Sequence, residues 1–100
     1  MEVVFRTKKL QRCYADCLFG KKTWGQDVHR KVVQRINLLQ EAANMEEVRR
    51  LPGLDCHPLK GRKKGRYGIT LIGRWRLEFS LQGESAVTIR IEEVSNHYGD

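Results

Sequence analysis

Three short alternations of apolar and polar residues crowd into the last third of this chain, and their spacing leaves little choice of connection. Residues 66–72, 74–81 and 86–94 each read as a β-strand. Only Gly73 separates the first two, and Gln82, Gly83, Glu84 and Ser85 separate the second from the third. Links this short cannot carry a crossover, so these strands form antiparallel hairpins. In the second strand Trp75, Leu77, Phe79 and Leu81 share one face and Arg76 takes the other. In the third, Val87, Ile89 and Ile91 alternate with Thr88, Arg90 and Glu92. A period of two means a sheet with one buried face and one polar face.

The layer that covers the apolar face must come from the N-terminal half. EVVFR, residues 2–6, is short and β-branched and reads as a first strand. Thr7 can cap a helix running to about Leu18, because Leu10, Cys13, Tyr14, Cys17 and Leu18 recur on one helical face. Gly20 and Gly25 then break the pattern within FGKKTWG. A longer helix from about Gln26 to Ala43 carries Val28, Val32, Ile36, Leu39 and Ala43 as its buried stripe. Asn44 caps a short helical turn, MEEVRRL, with Glu46 and Glu47 at its favourable N-terminal end. Pro52 and Gly53 end it, and 54–66 reads as an ordered but irregular loop. The expected fold is α+β in the order β-α-α-β-β-β, an antiparallel sheet with two N-terminal helices on one face. One hundred residues support a single domain, 1–100, with one modest core.

Two helices on one face leave the other open, and Arg66, Arg76 and Arg90 are the candidates to line it. Beside them Lys60, Arg62, Lys63, Lys64 and Arg66 fall within seven residues with no acid among them. The whole chain carries 19 Lys and Arg against 12 Asp and Glu, a formal charge of +7. So basic a domain favours polyanions, nucleic acid first, although an anionic membrane surface or an acidic protein would also be attracted. Cations on a strand can be aimed where loop cations are merely solvated, and this points to a phosphate backbone. No run approaches the ~18 apolar residues of a membrane span, and the first ten residues lack a secretory core. Three cysteines make no disulfide framework, so a cytoplasmic setting is expected. Cys13 and Cys17 fall on the apolar stripe, where cysteine is an ordinary small core residue, and with Cys56 and His57 they lack zinc-site spacing. His29 lies among charges and is expected at the surface. His57 precedes proline and is expected to shape the loop. Trp75 belongs to the core, and Trp24 is unassigned.

Taken together, CHPLKG, the GRYGITL and GRWRLEF strands and the terminal IEEVSNHY resemble the RelE/ParE toxin superfamily. The likeness covers essentially the whole chain and is nearest the HigB-type, plasmid maintenance killer, branch. That resemblance implies the toxin of a type II toxin–antitoxin pair, which enters the A site of the 70S ribosome and cuts messenger RNA. It implies no cofactor and no metal. It also implies a heteromeric complex with a cognate antitoxin, usually a helix-turn-helix protein of the HigA kind. The ParE branch keeps the fold and poisons DNA gyrase instead, so a gyrase inhibitor or a non-catalytic RNA-binding relative are the alternatives.

Metal-free RNA cleavage needs a base for the 2′ proton, an acid for the leaving 5′ oxygen, and cations for the phosphorane. On the resemblance, Lys60 contacts the phosphate or acts as base, and Arg76 grips non-bridging oxygens through paired N–H donors. Arg66 can do the same at the loop exit. His97 is the natural acid or base and Tyr98 can stack on a base or donate a proton. Arg62, Lys63, Lys64 and Arg74 are expected to hold RNA away from the scissile bond. The tail departs from the branch, where several members end in Asp-Tyr-His and this chain has Asn96-His97-Tyr98. Glu92 or Glu93 could supply the missing carboxylate. An idle Arg76 would instead pair with Glu78 or Glu92.

Overall fold

A computed structural model describes residues 1–84 and 87–96. The chain forms β1 (Glu2–Phe5), α1 (Lys8–Ala15), α2 (Cys17–Trp24), α3 (Gln26–Glu41) and α4 (Met45–Arg50). There follow β2 (His57–Pro58), a 3₁₀ turn (Gly61–Lys63), β3 (Arg66–Thr70), β4 (Trp75–Gln82) and β5 (Thr88–Asn96). The strands make one sheet in the order β1-β5-β4-β3-β2. The α+β class stands, with four helices rather than two and a mixed sheet rather than an antiparallel one. β1 lies parallel to β5, from Glu2 opposite Thr88 to Phe5 opposite Ile91. It is the one strand that no short turn joins to its neighbour, so local spacing could not set its direction.

Of the two additional helices, α4 is the short helical turn expected at MEEVRRL, and α2 arises at Asp16. Its backbone N–H donates to the Arg12 carbonyl and closes α1, while its side chain accepts from the Phe19 N–H at 3.2 Å and caps α2. One residue thus ends one helix and starts the next, and the helical phase rotates. Cys17 and Leu18, expected on the buried stripe, are exposed as a result, Leu18 by 79%. Gly20 does not break the chain but allows a close approach. A β-carbon there would collide with the His29 ring and the Cys13 carbonyl. His29 is therefore buried, not at the surface, with its ring stacked on Trp24. The stripe of α3 ends one residue early, with Ala42 buried and Ala43 exposed. Thr7 and Asn44 cap α1 and α4 as expected, accepting from the N–H groups of Leu10 and Glu47.

Val28, Val32, Ile36 and Leu39 of α3 pack on Ile69, Leu77, Phe79, Ile89 and Ile91 of the sheet. Burial at this interface is the main driving force for the fold. Buried Arg35 reaches from α3 to donate from Nε to the Thr70 carbonyl at 3.0 Å, and the Thr70 N–H donates to Leu54 at 2.8 Å. These bonds fasten the start of the basic loop to the end of β3.

β4 and β5 are out of step by one residue at a bulge. Glu78 pairs with Glu93, yet Phe79 pairs with Ile91, so Glu92 is the extra residue. Two consecutive acids therefore reach the polar face together. Glu92 accepts from Ser80 Oγ at 2.6 Å and Glu93 accepts from Arg66 Nη1 at 3.1 Å.

Candidate active site on the polar sheet face

The basic loop is held at three points. His57 and Pro58 pair with Gly68 and Tyr67 of β3. Buried Leu59 donates its N–H to the Arg66 carbonyl at 2.8 Å. Lys63 then reaches down to the sheet, where Nζ lies 2.9 Å from Glu78 Oε2. An irregular loop of cations would otherwise splay apart, and these anchors hold it over the strands.

Beneath it opens a groove of about 570 Å³. His57, Lys60, Arg62, Lys63 and Arg76 line it, with Pro58, Leu59 and Gly61. Gly68 of β3 lies close to three of these residues. A β-carbon on Gly68 would stand 3.2 Å from Leu59 Cδ2 and 3.7 Å from both Arg76 Cδ and His57 Cε1. The missing side chain leaves the space beside the imidazole and the guanidinium stem open. His57 Nδ1 lies 2.8 Å from the Asp55 carbonyl, which can only accept, so Nδ1 carries the proton and Nε2 is the basic atom of the neutral ring. Asp55 holds this contact with a left-handed backbone (φ 48°), a conformation Asp tolerates better than most residues.

Lys60 heads the 3₁₀ turn and is exposed. It lines both this groove and a second of about 510 Å³ on the other side of the loop, where Lys64 and Arg66 join it. Lys60, Arg62, Lys63 and Arg76 are thus brought together as the basic cluster suggested. Arg74 lies exposed in the β3–β4 turn. β5 ends at Asn96 opposite Trp75, and His97 and Tyr98 lie outside the described residues.

The polar face is not the open cationic surface expected of Arg66, Arg76 and Arg90. Its centre is an acid. Glu78 is wholly buried and accepts from Lys63 Nζ, Arg66 Nη1 at 3.2 Å, Arg76 Nε at 3.2 Å and Ser95 Oγ at 3.1 Å. Arg66 also bridges to Glu93 at 3.1 Å and approaches Glu92 at 3.8 Å. Arg6 and Arg90 flank Glu92, each at 3.7 Å. Burial is the largest single influence on the Glu78 carboxyl and pushes its pKa up. Lys63, through its hydrogen bond and charge, and the bonds from Arg66 and Ser95 together outweigh it and hold the carboxyl below its ordinary value.

Lys63, grouped by sequence with the outlying RNA-binding lysines, belongs to this network. Glu78 was visible only as an idle partner for Arg76. The overlooked signal is positional, since Glu78 faces Glu93 across the strands and two facing acids require cations between them. Among the described residues no group of three or more His, Cys, Asp or Glu is placed to hold a metal ion. No described helix is long and apolar enough to cross a membrane.

No family model and no curated protein matches the chain. Solved structures do. A YoeB/ParE toxin from Agrobacterium tumefaciens superposes with a TM-score of 0.60 at 19% identity, over 98% of this chain and 100% of that one. YafQ from E. coli gives 0.60 at 13% identity, over 95% of this chain and 91% of the other. A YoeB–YefM complex from Staphylococcus aureus gives 0.55 at 19%, over 98% of each chain. At such identities the likeness speaks for architecture alone, and the architecture of this chain is the fold shared by these YoeB/ParE and YafQ structures.

Proposed function

We propose that this protein is the toxin of a type II toxin–antitoxin pair and a ribosome-dependent messenger RNA endonuclease of the HigB kind. One observation carries this: the groove under the basic loop gathers Lys60, Arg76 and His57, which supply phosphate binding, charge stabilisation and proton transfer in one place. In the reaction the 2′ oxygen attacks the neighbouring phosphorus and the bond to the 5′ oxygen breaks. The products are a 2′,3′-cyclic phosphate and a 5′ hydroxyl. Arg76 stabilises the doubly charged phosphorane and Lys60 meets the phosphate from the loop. His57 is added to the site here, because its fixed tautomer leaves Nε2 to take or return a proton. His97 and Tyr98 remain the proposed contributors from the tail, and Arg66 the second phosphate cation. Arg62, Lys64 and Arg74, all exposed, hold ribosomal or messenger RNA.

The fold resembles that of a YoeB–YefM complex, and a cognate antitoxin is proposed for this chain in turn, with the cytoplasm as the setting. The ParE-like alternative, inhibition of gyrase, requires no proton-transfer group in the groove. Purified protein added in parallel to a reconstituted translation reaction and to a gyrase supercoiling reaction separates the two. Translation arrest with normal supercoiling is the expected result. Blocked supercoiling with undisturbed translation would overturn the nuclease assignment.

A further inference from the structure

Glu78 is the feature that a phosphate-binding surface does not call for. It is 0% exposed, at the centre of the polar face, and it takes contacts from the 3₁₀ turn, β3, β4 and β5 at once. As an RNA-binding element it is a liability, because it cancels one of the three positive charges around it. As a stabilising element it is a poor choice, because apolar residues of similar volume commonly match or exceed a buried ion network. What a fixed carboxylate provides and an apolar residue cannot is direction. Lys and Arg side chains are long and free to rotate, and an anion locked in the sheet sets them before any substrate arrives. Cations held in place need no reorganisation as charge develops on a reacting phosphate.

We infer that Glu78 is a positioning residue, an internal anion that holds Lys63, Arg66 and Arg76 in one fixed array for the scissile phosphate of an RNA substrate and weakens their overall pull on RNA in doing so. The catalytic half of this inference rests on the nuclease assignment above. The binding half stands without it.

The two halves predict effects of opposite sign, which a structural brace would not give. Glu78→Gln keeps the shape and removes one negative charge. The net charge of Lys63, Arg66 and Arg76 with Glu78 and Glu93 then rises from +1 to +2. RNA binding should tighten by about threefold or more at low salt, and the slope of log affinity against log salt should steepen by up to about one phosphate contact. Ribosome-dependent cleavage at saturating ribosomes should slow by about tenfold or more, through kcat. Binding is read by anisotropy of a labelled single-stranded RNA oligonucleotide from about 50 to 200 mM salt, and folding by thermal melting in the same buffers. The double variant Glu78→Gln with Lys63→Met returns the net charge to +1. Its affinity should return to that of the wild type while cleavage stays slow.

Weaker binding and slower cleavage that both follow the loss of folded protein would reduce Glu78 to a brace and overturn the inference. Unchanged cleavage would overturn it equally. If the wild type cuts no RNA, the nuclease assignment fails and the binding arm decides alone: tighter binding supports the internal anion, and unchanged or weaker binding refutes it.

Discussion

Replacing Arg76 with alanine should separate the structural role of this side chain from the catalytic one proposed for it. Structurally it is one of four donors to Glu78, its side chain 15% exposed and its Nε 3.2 Å from Oε2. Glu78 would retain Lys63 at 2.9 Å, Arg66 at 3.2 Å and Ser95 at 3.1 Å, so no unpaired buried charge is created. A hydrogen bond to a charged group is worth roughly 1.5–3 kcal/mol, and the remaining donors place this loss at the low end, about 1.5 kcal/mol. For a domain of this size that corresponds to a drop in melting temperature of about 6–12 °C. Catalytically the loss should be larger. A cation aimed at transition-state charge contributes about 10²–10³ in rate, or about 2.7–4 kcal/mol. Single-turnover cleavage of a defined messenger on programmed ribosomes, well below the variant's melting temperature, reads the second effect free of the first. Arg76→Lys should regain most of the stability and little of the rate, because an ammonium lacks the planar fork. A folded alanine variant that loses less than about tenfold in rate, or a lysine variant with full rate, would remove Arg76 from the chemistry.

Three further outcomes follow from the same geometry. The His57 side chain is exposed and makes one hydrogen-bond contact, to a backbone carbonyl, so His57→Gln should leave the melting temperature unchanged while cleavage falls by about 10²–10⁴. Gly68→Ala introduces a methyl 3.2 Å from Leu59 and 3.7 Å from Arg76 and His57 on a strand with ordinary φ. It should cost about 1 kcal/mol in a melt and a larger factor in cleavage, because a small displacement is felt first in the groove. Glu78 is held below its ordinary value of 4.5, so its contribution to stability is complete above that value and is lost as pH falls through the lower folded value. Melting temperature measured from neutrality down to about pH 3 should therefore fall more steeply for the wild type than for Glu78→Gln.

What could be read from the sequence was local. Trp75, Leu77 and Phe79 announce a strand because their period is two, and Thr7 and Asn44 announce helix starts because a cap acts within three residues. Lys60 and Arg76 could be paired in advance only through the resemblance of HPLKG and WRLEF to one toxin branch. The failures share a different cause. Asp16 looks like a mid-helix residue until it is seen to cap backward and forward at once. Gly20 looks like a breaker until His29 is found against it. The polar face was expected to be cationic because arginines were counted along strands, whereas the charge there depends on cross-strand register. The one-residue bulge that turns both Glu92 and Glu93 outward, and the pairing of Glu78 with Glu93, are long-range facts with no local signature. β1 took its direction from packing against β5, some 86 residues away in the chain, as the Thr88–Glu2 contact shows.

The central claim is cleavage of messenger RNA on the ribosome by the groove that Lys60, His57 and Arg76 line. Primer extension on a defined messenger tests it most directly, with and without 70S ribosomes, for the wild type and the Arg76→Ala and Lys60→Ala variants. The expected result is discrete cuts that need ribosomes, end in a 2′,3′-cyclic phosphate and fade in both variants. Intact messenger under conditions where the wild type still arrests cell growth would contradict it.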